Sequence, residues 1–169
     1  PLVKEFSRDY YLVGGTAIAL HLGHRRSIDF DLFTSGRVKK QFIKRTINRH
    51  KWPVSDVLFE DFEQLHLVVH DVKLTFFSYP HQIDATVDFE QIIYMPDLLT
   101  LAAMKAYALG GRAKWKDYVD LYILLRDHFS LAQISEKSKN IFGVYYNEKL
   151  FREQLCYFQD VDHSEKVDF

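Results

Sequence analysis

Apolar positions follow two different periods along this chain, and the change falls near Met95-Pro96. Before it the pattern is mixed. Tyr10-Tyr11-Leu12-Val13, stopped by Gly14-Gly15, predicts a buried strand ending in a tight turn, and Ala17, Ile18, Leu20 and Leu22 predict a short helix over 16–22. From Ser27 to Phe33 the residues alternate, Ile28, Phe30 and Leu32 to one side and Asp29 and Asp31 to the other, which is the period of a half-buried strand. Val38, Phe42, Ile43 and Ile47 recur at helical intervals over 37–50. Residues 54–59 and 65–70 predict two more strands, and His70-Asp71 turns the chain into a third over 72–77, forming an antiparallel meander.

Beyond Pro96, which suits the first turn of a helix, the period is helical. Leu98, Leu101, Ala102, Lys105 and Leu109 share a face until Gly110-Gly111 stops it, and a second helix is predicted over 115–128. Ser130 with Gln133 matches a capping box that opens a third helix, and Asn147 caps a fourth carrying Leu150, Phe151, Leu155 and Phe158. The chain therefore reads as α+β: a lobe with a mixed or antiparallel sheet over 1–95, followed by a helical lobe over 96–169.

Composition narrows the class. With 169 residues, 47% apolar and 27% charged, and only 7 Gly and 4 Pro, the chain can bury a core and is neither collagen-like nor disordered. A single cysteine, Cys156, excludes an intrachain disulfide framework or a Cys-based zinc site; its apolar helical setting predicts an inert buried thiol. No apolar run reaches the length of a membrane span, no secretory leader opens the chain, and a cytoplasmic location is expected. The start at Pro1 in place of Met leaves room for an upstream segment. Charge is nearly balanced, 22 basic against 23 acidic residues, but it is uneven. Arg37, Lys39, Lys40, Lys44, Arg45, Arg49 and Lys51 form a stretch with no acid, whereas Asp160, Asp162, Glu165 and Asp168 make the tail acidic. The basic stretch is either a solvated helix face or a surface that steers a polyanion.

The candidate chemistry lies between residues 14 and 31. Alternate residues of a strand project the same way, about 6 to 7 Å apart, so Asp29 and Asp31 present two carboxylates on one face. Their repulsion is relieved by a divalent ion such as Mg²⁺, which takes hard oxygen ligands and leaves room for phosphate oxygens. Two carboxylates with a triphosphate suit two-metal nucleotidyl transfer. Upstream, Gly14-Gly15-Thr16 opens a helix whose free amides suit a phosphate, with the Thr16 hydroxyl as a further donor. The eight histidines include no pair at helical zinc spacing, and Ser27 has no evident His–acid partner order for a hydrolase triad. Tyr107, Trp115, Tyr118 and Tyr122 are the aromatics able to stack on a base, against a default of core packing.

The run from Tyr11 to Phe33, with Gly14-Gly15-Thr16, His24-Arg25-Arg26 and Asp29-Phe30-Asp31, resembles the first motif of the AbiEii/AbiGii toxin family, a minimal branch of the polymerase-β-like nucleotidyltransferases. Met104 to Tyr122, with Lys105, Arg112, Lys116-Asp117 and Asp120, is similar to that family's later motif. Val72 to Pro80 and Leu155 to Asp160 also resemble segments of its short members, so the resemblance spans nearly the whole chain. It implies a minimal nucleotidyltransferase lobe followed by a helical lobe, in a bacterial toxin of a type IV toxin–antitoxin or abortive-infection pair. It further implies NTP as substrate, an RNA acceptor, tRNA in some relatives, and a cognate antitoxin as partner. Carried over, Gly14, Gly15 and Thr16 hold the triphosphate with Arg25 and Arg26 beside them, and Asp29 and Asp31 bind Mg²⁺. Lys105 contacts phosphate, and Asp117 orients nucleotide, metal or that lysine; a Lys105–Asp117 or Lys105–Asp120 structural ion pair is the alternative. The superfamily usually carries a third acid on a following strand, where this chain offers Lys73 and Thr75. Without it, general-base help worth roughly 10² to 10⁴ in rate falls to water or substrate. The alternatives are a catalytically silent nucleotide- or RNA-binding module, or an interaction protein that docks an antitoxin.

Overall fold

The computed structural model describes residues 2–164 and 166–168; Pro1, Phe169 and Glu165 of the acidic tail lie outside the described residues. The chain divides into two compact units. The first comprises the residues up to Thr16 together with Ile28–Pro96, and the second comprises Ala17–Ser27 and the residues from Asp97 onward. The division near Pro96 coincides with the change of hydrophobic period. Residues 17–27, by contrast, count with the helical unit rather than with the sheet that flanks them in sequence.

The first unit is built on β1 (Tyr11–Val13), β2 (Phe30–Thr34), β3 (Val54–Glu60), β4 (Gln64–Val69) and β5 (Val72–Ser78), in the order β1-β2-β5-β4-β3. Strand β2 runs parallel to β5 and antiparallel to β1, while β3, β4 and β5 form the antiparallel meander. Alternation assigns the faces: Leu12, Leu32, Leu65, Leu67, Leu74 and Phe76 are buried, and Asp31, Phe33, Thr75, Phe77 and His66 line the other, half-buried face. Phe6, in a short 3-10 turn, anchors the buried face by packing edge-on against Phe76 at 5.0 Å and Tyr10 at 6.5 Å. The helix α2 (Lys40–Arg49) buries Ile43 and Ile47, as its period requires. His70 and Asp71 both have positive φ, 50° and 61°, the geometry of a two-residue hairpin turn. A second hairpin, β6 (Val87–Phe89) with β7 (Ile93–Met95), is absent from the sequence-based picture. It is joined through Glu90 and Gln91 at φ 52° and 56°, and neither residue type marks a left-handed turn.

The second unit contains α3 (Leu98–Leu109), α4 (Trp115–Asp127), α5 (Leu131–Phe142) and α6 (Glu148–Leu155). Helix α3 is capped by Asp97, whose side chain accepts from the Thr100 amide at 2.7 Å, so Pro96 precedes the cap and does not occupy the first turn. Ala102, Ala103 and Ala106 are buried, and α3 packs on α5, where Tyr107 stacks on Phe142 at 4.2 Å. The Ser130–Gln133 capping box and the Asn147 cap both form. Phe158 lies beyond the end of α6 and is exposed. Cys156 is also exposed, which corrects the expected buried thiol: the apolar stripe of α6 ends before it reaches that position.

Candidate active site

The glycine turn and the acidic residues meet in the first unit. The helix α1 (Gly14–Leu22) starts directly after β1, and Gly14 has φ +73°, a left-handed conformation that side chains disfavour. A Cβ on Gly14 would overlap the Asp31 carboxylate. Backbone angle and close approach therefore both require glycine, and the second places Asp31 against the head of α1. The strand register agrees, with Val13 opposite Asp31 across β1 and β2.

Asp29 stands differently from expectation. Strand β2 begins at Phe30, so only Asp31 lies on the strand and Asp29 belongs to the irregular segment leading into it. The Thr16 hydroxyl donates to the Asp29 backbone carbonyl, and Thr16 is buried. The hydroxyl ties the acid-bearing segment to the first turn of α1. Across the sheet, the partner of Asp31 is Thr75, and the partner of Thr75 is His66. The position beside Asp31 thus carries a hydroxyl where a third acid was sought. Burial and the Lys73 charge hold the His66 imidazole below its ordinary pKa, while Asp31 and Asp61 pull the other way.

The second unit gathers the remaining candidates into a buried charge network. Asp117 and Asp120 lie three residues apart on α4 and share a face. Lys105, on α3, donates to Asp117 and sits 3.2 Å from Asp120, and Arg112 Nε donates to Asp117 at 3.0 Å. Arg25 forks onto Asp120, from Nε at 2.7 Å and from Nη2 at 3.0 Å, and His24 Nε2 lies 2.8 Å from the same carboxylate. Burial opposes ionisation of both aspartates, but the neighbouring cations and donors outweigh it and hold both well below the usual carboxylate range. Lys105 is likewise desolvated, and the two aspartates raise its pKa despite this.

The Arg25 side chain is 1% exposed and pairs with Asp120, whereas Arg26 is exposed. Lys105 and Asp117 have each other as partners. What sequence reasoning missed is the link from Arg25 to Asp120, which crosses 95 residues; a Lys105–Asp120 pair was the part of this network already legible. The Asp117 carboxylate is held by Lys105 and Arg112. Of the possible stacking aromatics, Tyr107 and Tyr118 are engaged in packing and hydrogen bonding, while Tyr122 and Trp115 are exposed.

Residues 3–167 match the family described as "Nucleotidyl transferase AbiEii toxin, Type IV TA system", and the chain belongs to that family. An uncharacterized protein of Aquifex aeolicus (strain VF5), aq_aa25, is 31% identical over 161 residues, which are 90% of this chain and 75% of that protein. The fold resembles that of JHP933 from Helicobacter pylori, at TM-score 0.55 and 18% identity, covering 92% of this chain and 84% of that one. It also resembles MenT4, a nucleotidyltransferase toxin from Mycobacterium tuberculosis H37Rv, at TM-score 0.51 and 14% identity, covering 81% of this chain and 59% of that one. Among the described residues no helix is long and apolar enough to cross a membrane.

Proposed function

We propose that this chain moves a nucleoside monophosphate from an NTP to a hydroxyl or phosphate acceptor on RNA, as the toxin of a pair completed by a cognate antitoxin. The observation that carries the reading is the Asp31 carboxylate lying against the bare Cα of Gly14 at the start of α1. That arrangement supports a triphosphate received by the amides of the Gly14-Gly15 turn, with the acids beside it.

Mg²⁺ fits this donor set. Asp29 and Asp31 are the residues whose carboxylates would hold the ion, a hard cation that takes oxygen ligands and would leave positions for phosphate oxygens and water. When bound, the ion neutralises the charge that builds on the departing pyrophosphate. An acceptor oxygen attacks the α-phosphorus, the new P–O bond forms as the bond to the β-phosphate oxygen breaks, and pyrophosphate leaves. Because Thr75 and His66 stand where a third acid was sought, a hydroxyl proton passes to water or a substrate phosphate. The resemblance also assigns Lys105 and Asp117 to the reaction, Asp117 holding the lysine.

The RNA acceptor draws its support from α2 and the residues before it, though less strongly than their composition suggests. Lys39 pairs with Asp9 at 2.7 Å, Lys44 with Glu60 at 2.7 Å, and Arg49 with Glu5 at 3.2 Å. Arg37 and Arg45 have no carboxylate partner among the described residues, and they line an open groove with the exposed rings of Phe42 and Phe62. Cations beside exposed rings suit a single strand.

Incubation with each labelled NTP, Mg²⁺ and total RNA tests the reading. Label is expected to move into RNA with the wild-type chain and not with Asp29→Asn or Asp31→Asn, whose melting temperatures stay near wild type. Transfer retained by either variant overturns the metal assignment, and NTP binding by calorimetry with no pyrophosphate release under any acceptor identifies a silent binding module.

A further inference from the structure

Asp31, Thr75 and His66 form a row across three neighbouring strands of the first unit. The Cα partner of Asp31 is Thr75, and that of Thr75 is His66, so all three side chains lie on the half-buried face while Leu32, Leu74 and Leu67 turn to the core. Adjacent strands are about 4.8 Å apart, which separates the Asp31 and His66 backbones by roughly 10 Å and leaves room between their side chains for a reacting oxygen and one water. Thr75 brings no charge to this row. The imidazole is the proton acceptor on it.

The ring is prepared for that task. His66 Nε2 lies 3.0 Å from Oε1 of Gln64, two residues back on β4. A carbonyl oxygen only accepts, so Nε2 carries the proton and the lone pair is left on Nδ1. Among the described residues no donor meets that Nδ1, and unlike Nδ1 of His24 it is not sealed from solvent. Phe59 of β3 packs against the ring at 5.4 Å. Burial and the Lys73 ammonium disfavour the imidazolium, Asp31 and Asp61 favour it, and the first two prevail, so the pKa falls below 6.5 and the ring is neutral at pH 7.

We propose that His66 is the general base of the transfer, taking the acceptor's proton at Nδ1 through one water, and that Gln64 is a positioning residue that fixes its tautomer. This rests on the reading of the chain as a nucleotidyltransferase acting beside Asp31. It also commits the acceptor to a hydroxyl, since an ionised phosphate oxygen has no proton to lose. The hydroxyl oxygen bonds to the α-phosphorus as the bond to the β-phosphate oxygen breaks, and pyrophosphate leaves with that electron pair. The hydroxyl proton passes to the water, a proton of the water passes to Nδ1, and the imidazolium returns it to solvent afterwards.

The test measures label transfer from NTP to total RNA by the full chain with Mg²⁺, between pH 5 and 9. In the wild type kcat is expected to level off above the imidazole pKa and to fall by about tenfold per pH unit below it. His66→Gln lowers kcat by about a hundredfold at pH 7, leaves KM for the NTP near wild type and abolishes that limb, while added imidazole restores part of the rate of His66→Ala. Gln64→Glu keeps the ring in place and sets a carboxylate on Nε2–H, which moves the limb to higher pH. A purely structural histidine would not follow the charge at residue 64. Transfer by His66→Gln at the wild-type rate, or a limb that stays in place in Gln64→Glu, overturns the proposal and leaves the transferase reading standing. A wild-type chain that transfers no label from any NTP fails that reading, and the base falls with it.

Discussion

The chain carries two closely spaced aspartate pairs, and their surroundings differ sharply. Asp117 and Asp120, in the second unit, are buried, and each is held by a lysine and an arginine. Asp29 and Asp31, in the first, are half-buried, and one of them rests against a glycine with no side chain to offer. Burying a carboxylate is costly unless cations and donors surround it, as they do Asp117 and Asp120. Asp29 and Asp31 keep partial access to solvent near the start of α1.

Breaking the half-buried pair gives the largest functional effect. Asp29→Asn is expected to lower label transfer by about a thousandfold or more, since the electrostatic help of a bound metal is worth several kcal/mol. Its denaturant midpoint stays close to wild type, in contrast to any lesion in the buried pair.

Lys105→Met reverses that pattern. Removing the shared cation leaves two buried carboxylates short of a partner, and a loss of about 3 to 5 kcal/mol in unfolding free energy is expected by denaturant titration. A change within 1 kcal/mol, roughly the worth of an exposed ion pair, would show that the network does not hold the unit together.

The same network sets a pH window. Asp117 and Asp120 have folded pKa values below the ordinary 3.8, so their contribution is complete above 3.8 and drains away as pH falls below it. The Lys105 pKa is raised above 10.5, so its contribution is complete below that value and is lost as pH climbs past it. Stability measured from pH 7 down to 3 should fall less steeply in Asp120→Asn than in wild type.

Gly14→Ala sharpens the comparison from the other side. The left-handed backbone alone costs about 1 to 2 kcal/mol, and the added methyl displaces Asp31, so transfer falls together with stability. Ser130→Ala removes the cap of α5 and costs about 1 kcal/mol, with transfer unchanged.

Much of this arrangement is legible in the residues. Periodicity located the α5 and α6 caps, the meander and the alternation that turns Asp31 away from Leu32, because each depends on neighbours a few positions apart. The β6–β7 hairpin escaped detection because Glu90 and Gln91 adopt left-handed angles that their residue types do not announce. The strand reading overreached at Asp29, where the Thr16 hydroxyl holds an irregular segment in place of a ladder. The partners that Arg25 and Thr16 take, Asp120 and the Asp29 carbonyl, were not legible, because a sequence shows what a side chain can donate and not which acceptor it meets.

The amino-acid order by itself determined the period of most of the elements and the family to which the chain belongs. Only the tertiary structure decided that Arg25 answers Asp120 from 95 residues away, that Lys105 is shared by two aspartates, and that Thr75 stands beside Asp31. Local preferences are set by steric and hydrogen-bonding rules within a turn or two of chain. The partner of a buried charge is chosen by which distant segments the core brings within about 3 Å, and no spacing along the sequence encodes that distance.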